Sequence, residues 1–88
     1  MISTALIYST ATCSYCTRAK QLLQANGIPY TEIRVDLDAT KREEMIQRSN
    51  RQTVPQIFIN EQSVGGCDDL WALERAGRLD VMLGSSSR

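Results

Sequence analysis

Residues 5–25 of the chain read ALIYSTATCSYCTRAKQLLQA, and the architecture is best worked out from this stretch. Its first four residues form a short apolar run between Ser/Thr-rich flanks, which is typical of a strand buried on both faces. Residues 14–26 favour a helix, with Leu22 and Leu23 on one face. The two cysteines of the stretch therefore lie between a central strand and the start of a helix.

The rest of the chain continues this alternation of strands and helices. Residues 31–37 alternate polar with apolar side chains, which indicates a half-buried strand. Further predicted elements are a helix at 39–48 and a hairpin with strands at 57–59 and 63–64. With a last helix after the hairpin, the order is β-α-β-α-β-β-α. This is an α/β fold with one four-stranded mixed sheet flanked by helices.

The last helical region begins at Asp68 and Asp69, whose carboxylates suit a helix N-terminus. Trp71 is expected to pack under this helix. An interruption is expected near Gly77. The positions expected to be buried in this region are Leu70, Leu73, Val81 and Met82.

Length and composition limit what the chain can be. Eighty-eight residues, 42% of them hydrophobic, are enough for one domain, which we place at 1–84, with a polar tail at 85–88 expected to be disordered. Ten basic and ten acidic residues give zero net charge, so neither a nucleic acid nor a membrane is an expected partner. The absence of histidine excludes histidine catalysis and histidine metal ligation.

The cysteine count and the N-terminal sequence favour a location in the cytoplasm. Three cysteines cannot form a fully paired disulfide framework within one chain, so the reducing cytoplasm is the expected location. The opening residues lack the basic and apolar regions of a signal peptide, and no apolar run approaches the ~20 residues of a membrane span. We therefore expect a soluble cytoplasmic protein.

Cys13 and Cys16 form a CxxC motif at the start of the first predicted helix. Residues three apart on a helix share a face, so the two sulfurs can come within disulfide distance. The helix N-terminus favours a thiolate on Cys13, which makes it the candidate nucleophile and Cys16 the resolving thiol. The motif alone also allows inert core thiols, or a metal site for which Cys67 is the remaining thiol.

Three motifs give the chain a specific resemblance. The segments 12–16 (TCSYC), 53–55 (TVP) and 65–70 (GGCDDL), in this order and spacing, resemble the glutaredoxin family, most closely its small bacterial dithiol members. The resemblance implies a thioredoxin-like fold and glutathione as the reductant. It also implies an enzyme that reduces protein–glutathione mixed disulfides and protein disulfides, so that its partners are glutathione and proteins carrying such disulfides.

The resemblance also implies a glutathione site. The loop 53–55 corresponds to the family's cis-proline loop, in which the backbone of Val54 pairs with the peptide-like backbone of glutathione. The segment beginning at Gly66 corresponds to the part that holds the γ-glutamyl end, and Arg42 to a residue that binds the glycine carboxylate. Cys67 matches this motif without needing to be a redox partner. The residues carried over are Tyr15, Arg42, Thr53, Val54, Pro55, Gly66, Cys67 and Asp68.

Two positions depart from the family pattern. Ser14 stands where many relatives have proline, and Thr10 stands where many have a lysine. Without this lysine, the site lacks a cation that would stabilise the Cys13 thiolate and attract glutathione. Weaker glutathione binding is therefore expected, unless Arg18 or Lys20 takes its place.

Two alternative functions follow from the same resemblance. In the first, two chains bridge one [2Fe-2S] cluster, each supplying Cys13 and a bound glutathione, and the protein is a cluster carrier. A cluster-bound protein would be a dimer, whereas the enzyme is expected to be a monomer. In the second, the chain is a thioredoxin-like reductase served by a flavoenzyme, in which case the glutathione site would have no purpose.

Overall fold

The structure, a computed structural model, describes residues 5–60 and 62–78. The chain alternates strands and helices in the predicted order, so the predicted fold class is confirmed. The elements are β1 (Ala5–Ser9), α1 (Ser14–Ala25), β2 (Tyr30–Arg34), α2 (Ala39–Ser49), β3 (Gln56–Ile59), β4 (Gln62–Gly65) and α3 (Cys67–Arg75).

The sheet has the strand order β2-β1-β3-β4. Strand β1 runs parallel to β2 and antiparallel to β3, and β3 pairs antiparallel with β4. In the β1–β3 register Tyr8 lies opposite Gln56. Consequently the residues that follow β1 and the residues that precede β3 meet at one edge of the sheet, and this edge carries the CxxC motif and the TVP loop.

Apolar side chains cover both faces of the sheet, because successive residues of a strand point to opposite faces. On one face Ile7, Ile57 and Ile59 pack with residues of α1 and α3 such as Leu23 and Leu70. On the other face the buried cluster consists of Tyr8, Val35, Met45 and Phe58. The two helix layers therefore hold the ends of β1 and β3 from both sides.

Polar contacts fix the ends of α2. The Asp38 carboxylate accepts hydrogen bonds from the backbone N–H groups of Thr40 and Lys41, as expected of an N-cap residue. The helix ends at Asn50, whose positive φ of 60° turns the chain out of the helix. This turn leads directly into residues 51–55, the loop that faces the CxxC motif.

Two sequence predictions differ from the structure. Strand β2 ends at Arg34 and not at Leu37, because the parallel pairing with β1 ends where Ser9 pairs with Arg34. Beyond that pair Leu37 is 75% exposed. Trp71 does not pack under α3 and is 41% exposed, since Leu70 takes the buried position of that turn.

Some predictions concern residues outside the described part of the chain. Val81, Met82 and the polar tail at 85–88 all lie there. Within the described part, Leu70 is buried and Leu73 packs against the core, as predicted. None of the helices seen in residues 5–60 and 62–78 has the length and apolar character needed to cross a membrane.

Candidate active site

Cys13 is the N-cap residue of α1, with an extended backbone (φ −92°, ψ 110°) that leads from the loop into the helix. Its Sγ accepts a hydrogen bond from the backbone N–H of Cys16, with an S···N distance of 3.2 Å. This position places the sulfur against the unpaired N–H groups and the positive end of the helix. Cys13 is only half-buried, so a disulfide can reach its sulfur.

Cys16 lies one turn into α1 and is 1% exposed. Burial, and after it the hydrogen bond with Cys13, raises the pKa of the Cys16 thiol to about 12. The backbone N–H of Thr10 and the charge of Lys20 act in the opposite direction but do not outweigh burial. Cys16 is therefore a protonated, inaccessible thiol in the reduced protein, whereas the sulfur of Cys13 is accessible.

The loop before α1 is tied to β2 through Asp36. Its carboxylate accepts a hydrogen bond from the backbone N–H of Ala11 at 3.2 Å and two from the Arg34 guanidinium at 2.8 and 2.7 Å. The Arg34 hydrogen bonds, more than that of Ala11, lower the pKa of Asp36 to about 2. The charged carboxylate thus fixes the entry to the CxxC motif.

The TVP loop faces Cys13. The Val54–Pro55 peptide bond is cis, as the resemblance implies. The thiol of Cys13 donates a hydrogen bond to the carbonyl oxygen of Val54, with an S···O distance of 3.7 Å. The main chain of Val54 is consequently next to the sulfur, where it can align a peptide-like ligand.

The start of α3 forms the opposite wall. Asp69 Oδ2 accepts a hydrogen bond from the Gly66 N–H at 2.9 Å and pairs with Arg51 Nη1 at 3.2 Å. Gly65, with φ +111°, approaches this carboxylate so closely that a Cβ would lie 2.3 Å from Asp69 Oδ2. Glycine is strongly favoured here, because L side chains rarely adopt this backbone conformation and a Cβ would push the Asp69 carboxylate away from its partners.

A cleft runs between these two walls beside the CxxC motif. Most of the residues predicted to contact glutathione line it, together with Arg51 and Gln56, which the sequence analysis did not indicate. The lining residues are Tyr15, Arg51, Thr53, Val54, Pro55, Gln56, Gly66, Cys67 and Asp68.

Arg42 is not among the lining residues. It is exposed on α2, and its guanidinium contacts the carbonyl oxygen of Gln52 at 3.5 Å, beside the loop. Arg51 is the cation that lines the cleft, because the turn at Asn50 and the pairing with Asp69 bring it there. In the sequence, only its position two residues before Thr53 could have indicated that Arg51 lies near the cleft.

The cleft therefore carries charges of both signs. Arg51 provides a cation on one side. Asp68 provides a carboxylate beside the N-terminus of α3, whose N–H groups suit an anion. Burial, and after it the Asp68 charge, raises the pKa of Cys67, which is 5% exposed. Cys67 thus remains a protonated thiol in the wall of the cleft.

Tyr15 forms the rim of the cleft and is 55% exposed. The Arg18 guanidinium lies 5.9 Å from the centre of its ring, a cation–π distance. Lys20 forms an ion pair with Glu32 at 3.0 Å. Lys20 is therefore held at β2, whereas Arg18 is held at the rim through Tyr15.

Comparison with known proteins shows the family of this chain. Residues 5–64 match the sequence model of the glutaredoxin family. The chain belongs to the glutaredoxin family. It is 57% identical to Glutaredoxin 3 of Escherichia coli (strain K12) over 77 residues, which cover 88% of this chain and 93% of that protein. The family makes the chain a glutathione-dependent thiol oxidoreductase.

Solved glutaredoxin structures have the same fold. The solution structure of glutaredoxin from Brucella melitensis superposes with a TM-score of 0.81 at 48% identity, covering 94% of this chain and 89% of that one. The crystal structure of a buckwheat glutaredoxin–glutathione complex superposes with a TM-score of 0.85 at 30% identity, covering 94% and 78%. The thioredoxin-like architecture expected from the sequence is thus confirmed.

Proposed function

We propose that this glutaredoxin reduces protein–glutathione mixed disulfides through Cys13, and protein disulfides through Cys13 and Cys16 together. The observation that carries the proposal is the placement of the Cys13 sulfur. It caps the N-terminus of α1, remains accessible, and lies 3.7 Å from the main chain of the cis-proline loop. A nucleophile and a ligand-aligning backbone therefore share one cleft.

Glutathione fits the charges of this cleft, because it carries two carboxylates and one ammonium group on a peptide-like backbone. The Val54 backbone would pair with the cysteinyl part, next to Cys13. The N-terminus of α3 would hold the γ-glutamyl carboxylate, with Asp68 near the ammonium group. Arg51 would bind the remaining carboxylate, with Arg42 adding charge behind the loop.

In the first step the Cys13 thiolate attacks the glutathione sulfur of a mixed disulfide. The bond between Cys13 and the glutathione sulfur forms, the bond to the substrate sulfur breaks, and the substrate leaves as a thiolate that takes up a proton. The helix N-terminus stabilises the attacking charge until the new bond forms. The substrate is reduced, and its glutathionyl group now resides on Cys13.

Two routes regenerate the enzyme. A second glutathione thiolate can attack the glutathionyl sulfur, which releases glutathione disulfide and the Cys13 thiolate. Alternatively the thiolate of Cys16 attacks the Cys13 sulfur, which expels glutathione and closes the Cys13–Cys16 disulfide. Burial and the raised pKa of Cys16 favour the first route at neutral pH. The three free thiols suit a reducing compartment, and we place the activity in the cytoplasm.

The cluster-carrier alternative draws on the same cysteine. Cys13 is the accessible thiol, so it is the residue that would supply one ligand per chain to a [2Fe-2S] cluster, with bound glutathione supplying the other. Across the described residues, no group of three or more cysteine or acidic side chains is placed to share a metal ion. A cluster held in this way therefore requires two chains and two glutathiones.

The proposal is tested by trapping the covalent intermediate. Reduced wild type, Cys13→Ser, Cys16→Ser and Cys67→Ser are each mixed with glutathione disulfide, and the adducts are located by mass spectrometry of peptides. We expect a stable glutathionyl adduct on Cys13 in Cys16→Ser, and no adduct on Cys16 or Cys67 in Cys13→Ser. An adduct located on Cys67 in place of Cys13 would refute the assignment of the nucleophile.

A further inference from the structure

Gln56 is a polar residue buried in the wall of the cleft. It is the first residue of β3 and is 1% exposed. Its side chain folds back onto the loop that precedes it: Nε2 donates to the Thr53 carbonyl oxygen at 3.0 Å and to Thr53 Oγ1 at 3.3 Å. One carboxamide thus holds both the main chain and the hydroxyl of Thr53.

The other end of the same carboxamide has no partner. Gln56 Oε1 is buried and, throughout the described part of the chain, receives no hydrogen bond. A buried acceptor without a donor costs free energy, and native proteins contain few of them. Residues chosen for stability alone would fill this position with an apolar side chain, as β3 does at its other three positions. The polar contacts of Gln56 to Thr53 therefore call for a functional explanation.

The hydrogen bond from Gln56 to Thr53 determines which way the hydroxyl hydrogen of Thr53 points. A threonine hydroxyl carries one hydrogen and two acceptor lone pairs. Because Nε2 of Gln56 donates to Oγ1, the hydroxyl hydrogen points away from Gln56 and remains available as a donor. Thr53 is exposed and lines the cleft, so a ligand acceptor can reach this hydrogen.

We infer that Gln56 is a positioning residue for ligand binding, which acts by turning the Thr53 hydroxyl into a donor for a carboxylate of glutathione. This inference rests on the proposed function, since it assumes that glutathione occupies the cleft. The carboxylate is the matching group, because a hydroxyl donor forms its stronger hydrogen bonds with a charged acceptor. Keeping the carboxamide in this place leaves Oε1 without a hydrogen-bond partner, which lowers the stability of the folded protein.

A double-mutant cycle tests the inference. The variants are Gln56→Met, which keeps the length of the side chain but cannot donate, Thr53→Val, which removes the hydroxyl, and the double variant. Gln47→Met, on the exposed surface of α2, is the matched control. For each protein, KM for glutathione, kcat and the thermal midpoint are measured in the glutathione-dependent reduction of a small mixed disulfide.

We expect Gln56→Met and Thr53→Val each to raise KM for glutathione roughly three- to tenfold, with kcat nearly unchanged. The double variant should show no more than the larger single effect, because both changes remove the same donor. The thermal midpoint of Gln56→Met should be unchanged or higher, since the variant removes the unpartnered oxygen.

Three results would overturn the inference: an unchanged KM in Gln56→Met, multiplied effects in the double variant, or a KM increase that comes with a lower thermal midpoint. The last of these would show that Gln56 merely supports the folded loop. A folded wild-type protein without any glutathione-dependent turnover would instead refute the proposed function itself. Gln47→Met should match the wild type in all three measurements.

Discussion

The backbone N–H of Cys16 donates a hydrogen bond to the sulfur of Cys13, with an N···S distance of 3.2 Å. This one contact separates the roles of the two cysteines. The N–H group points at the Cys13 sulfur, which lies at the accessible end of the helix, while Cys16 is buried one turn further on. The two cysteines lie on one turn of α1, three residues apart, which is the spacing that lets their sulfurs pair.

The rate of disulfide closure by Cys16 should depend strongly on pH. The pKa of Cys16 is raised to about 12, chiefly by burial, so its thiolate fraction grows about tenfold per pH unit below that value. Starting from the protein glutathionylated on Cys13, we expect the rate of glutathione release to rise with pH across the neutral and mildly alkaline range. Rapid acid quenching followed by mass spectrometry measures it. A rate that does not change with pH would contradict this account of Cys16.

Acid should loosen the entry to the active site through Asp36. Its folded-state pKa of about 2 lies below the ordinary value of 3.8, so the carboxylate contributes stability above pH 3.8 that is lost as the pH falls towards 2. Asp36→Asn should therefore show a smaller loss of thermal midpoint over this window than the wild type. Glu43→Gln is the control, because it also removes one negative charge, at an exposed position. Identical acid profiles for wild type and Asp36→Asn would contradict the prediction.

Gly65 should be far less tolerant of a side chain than Gly27. Both have positive φ: Gly27 (67°) lies in the left-handed α region, where alanine costs about 1–2 kcal/mol, whereas Gly65 (111°) lies well outside that region. At Gly27 nothing lies within 4 Å of a new Cβ, whereas at Gly65 it would meet Asp69 Oδ2 at 2.3 Å. Urea denaturation of the two alanine variants measures the difference. Gly65→Ala should be the less stable, and only this variant should also bind glutathione more weakly; equal losses of stability would argue against the close approach.

Much of this fold follows from local patterns, but the cleft does not. The apolar run of β1, the alternation in β2 and the CxxC at the start of α1 can each be recognised from neighbouring residues. Leu37 continues the alternation beyond its partner strand, and no local signal shows where the pairing stops.

Arg51 and Gln56 were missed for a related reason. Arg51 reaches the cleft through an ion pair with Asp69, which lies 18 residues further along the chain. Gln56 is distinguished only by its burial and by an oxygen without a partner, both of which are properties of the folded protein. Arg42, which the resemblance indicated as a glutathione contact, lies outside the cleft, beside the loop that contains Gln52. Its role in binding glutathione stays a prediction.

The two arginines should contribute unequally to glutathione binding. Arg51 lines the cleft, whereas Arg42 contacts the carbonyl oxygen of Gln52 outside it. We expect Arg51→Gln to raise KM for glutathione about three- to tenfold and Arg42→Gln to raise it less. Arg75→Gln, in the last turn of α3, controls for the loss of one positive charge. A larger effect at Arg42 than at Arg51 would show that the ligand lies against α2 instead.

The division of labour between Cys13 and Cys16 is tested most directly by steady-state kinetics. The measurement is glutathione-dependent reduction of a small mixed disulfide, coupled to glutathione reductase and NADPH. It compares the wild type with Cys13→Ser and Cys16→Ser, and Cys67→Ser serves as the control for a buried thiol. We predict that Cys13→Ser falls to background while Cys16→Ser and Cys67→Ser keep most of the activity. Turnover that survives in Cys13→Ser, or is lost in Cys16→Ser, would contradict Cys13 as the sufficient nucleophile.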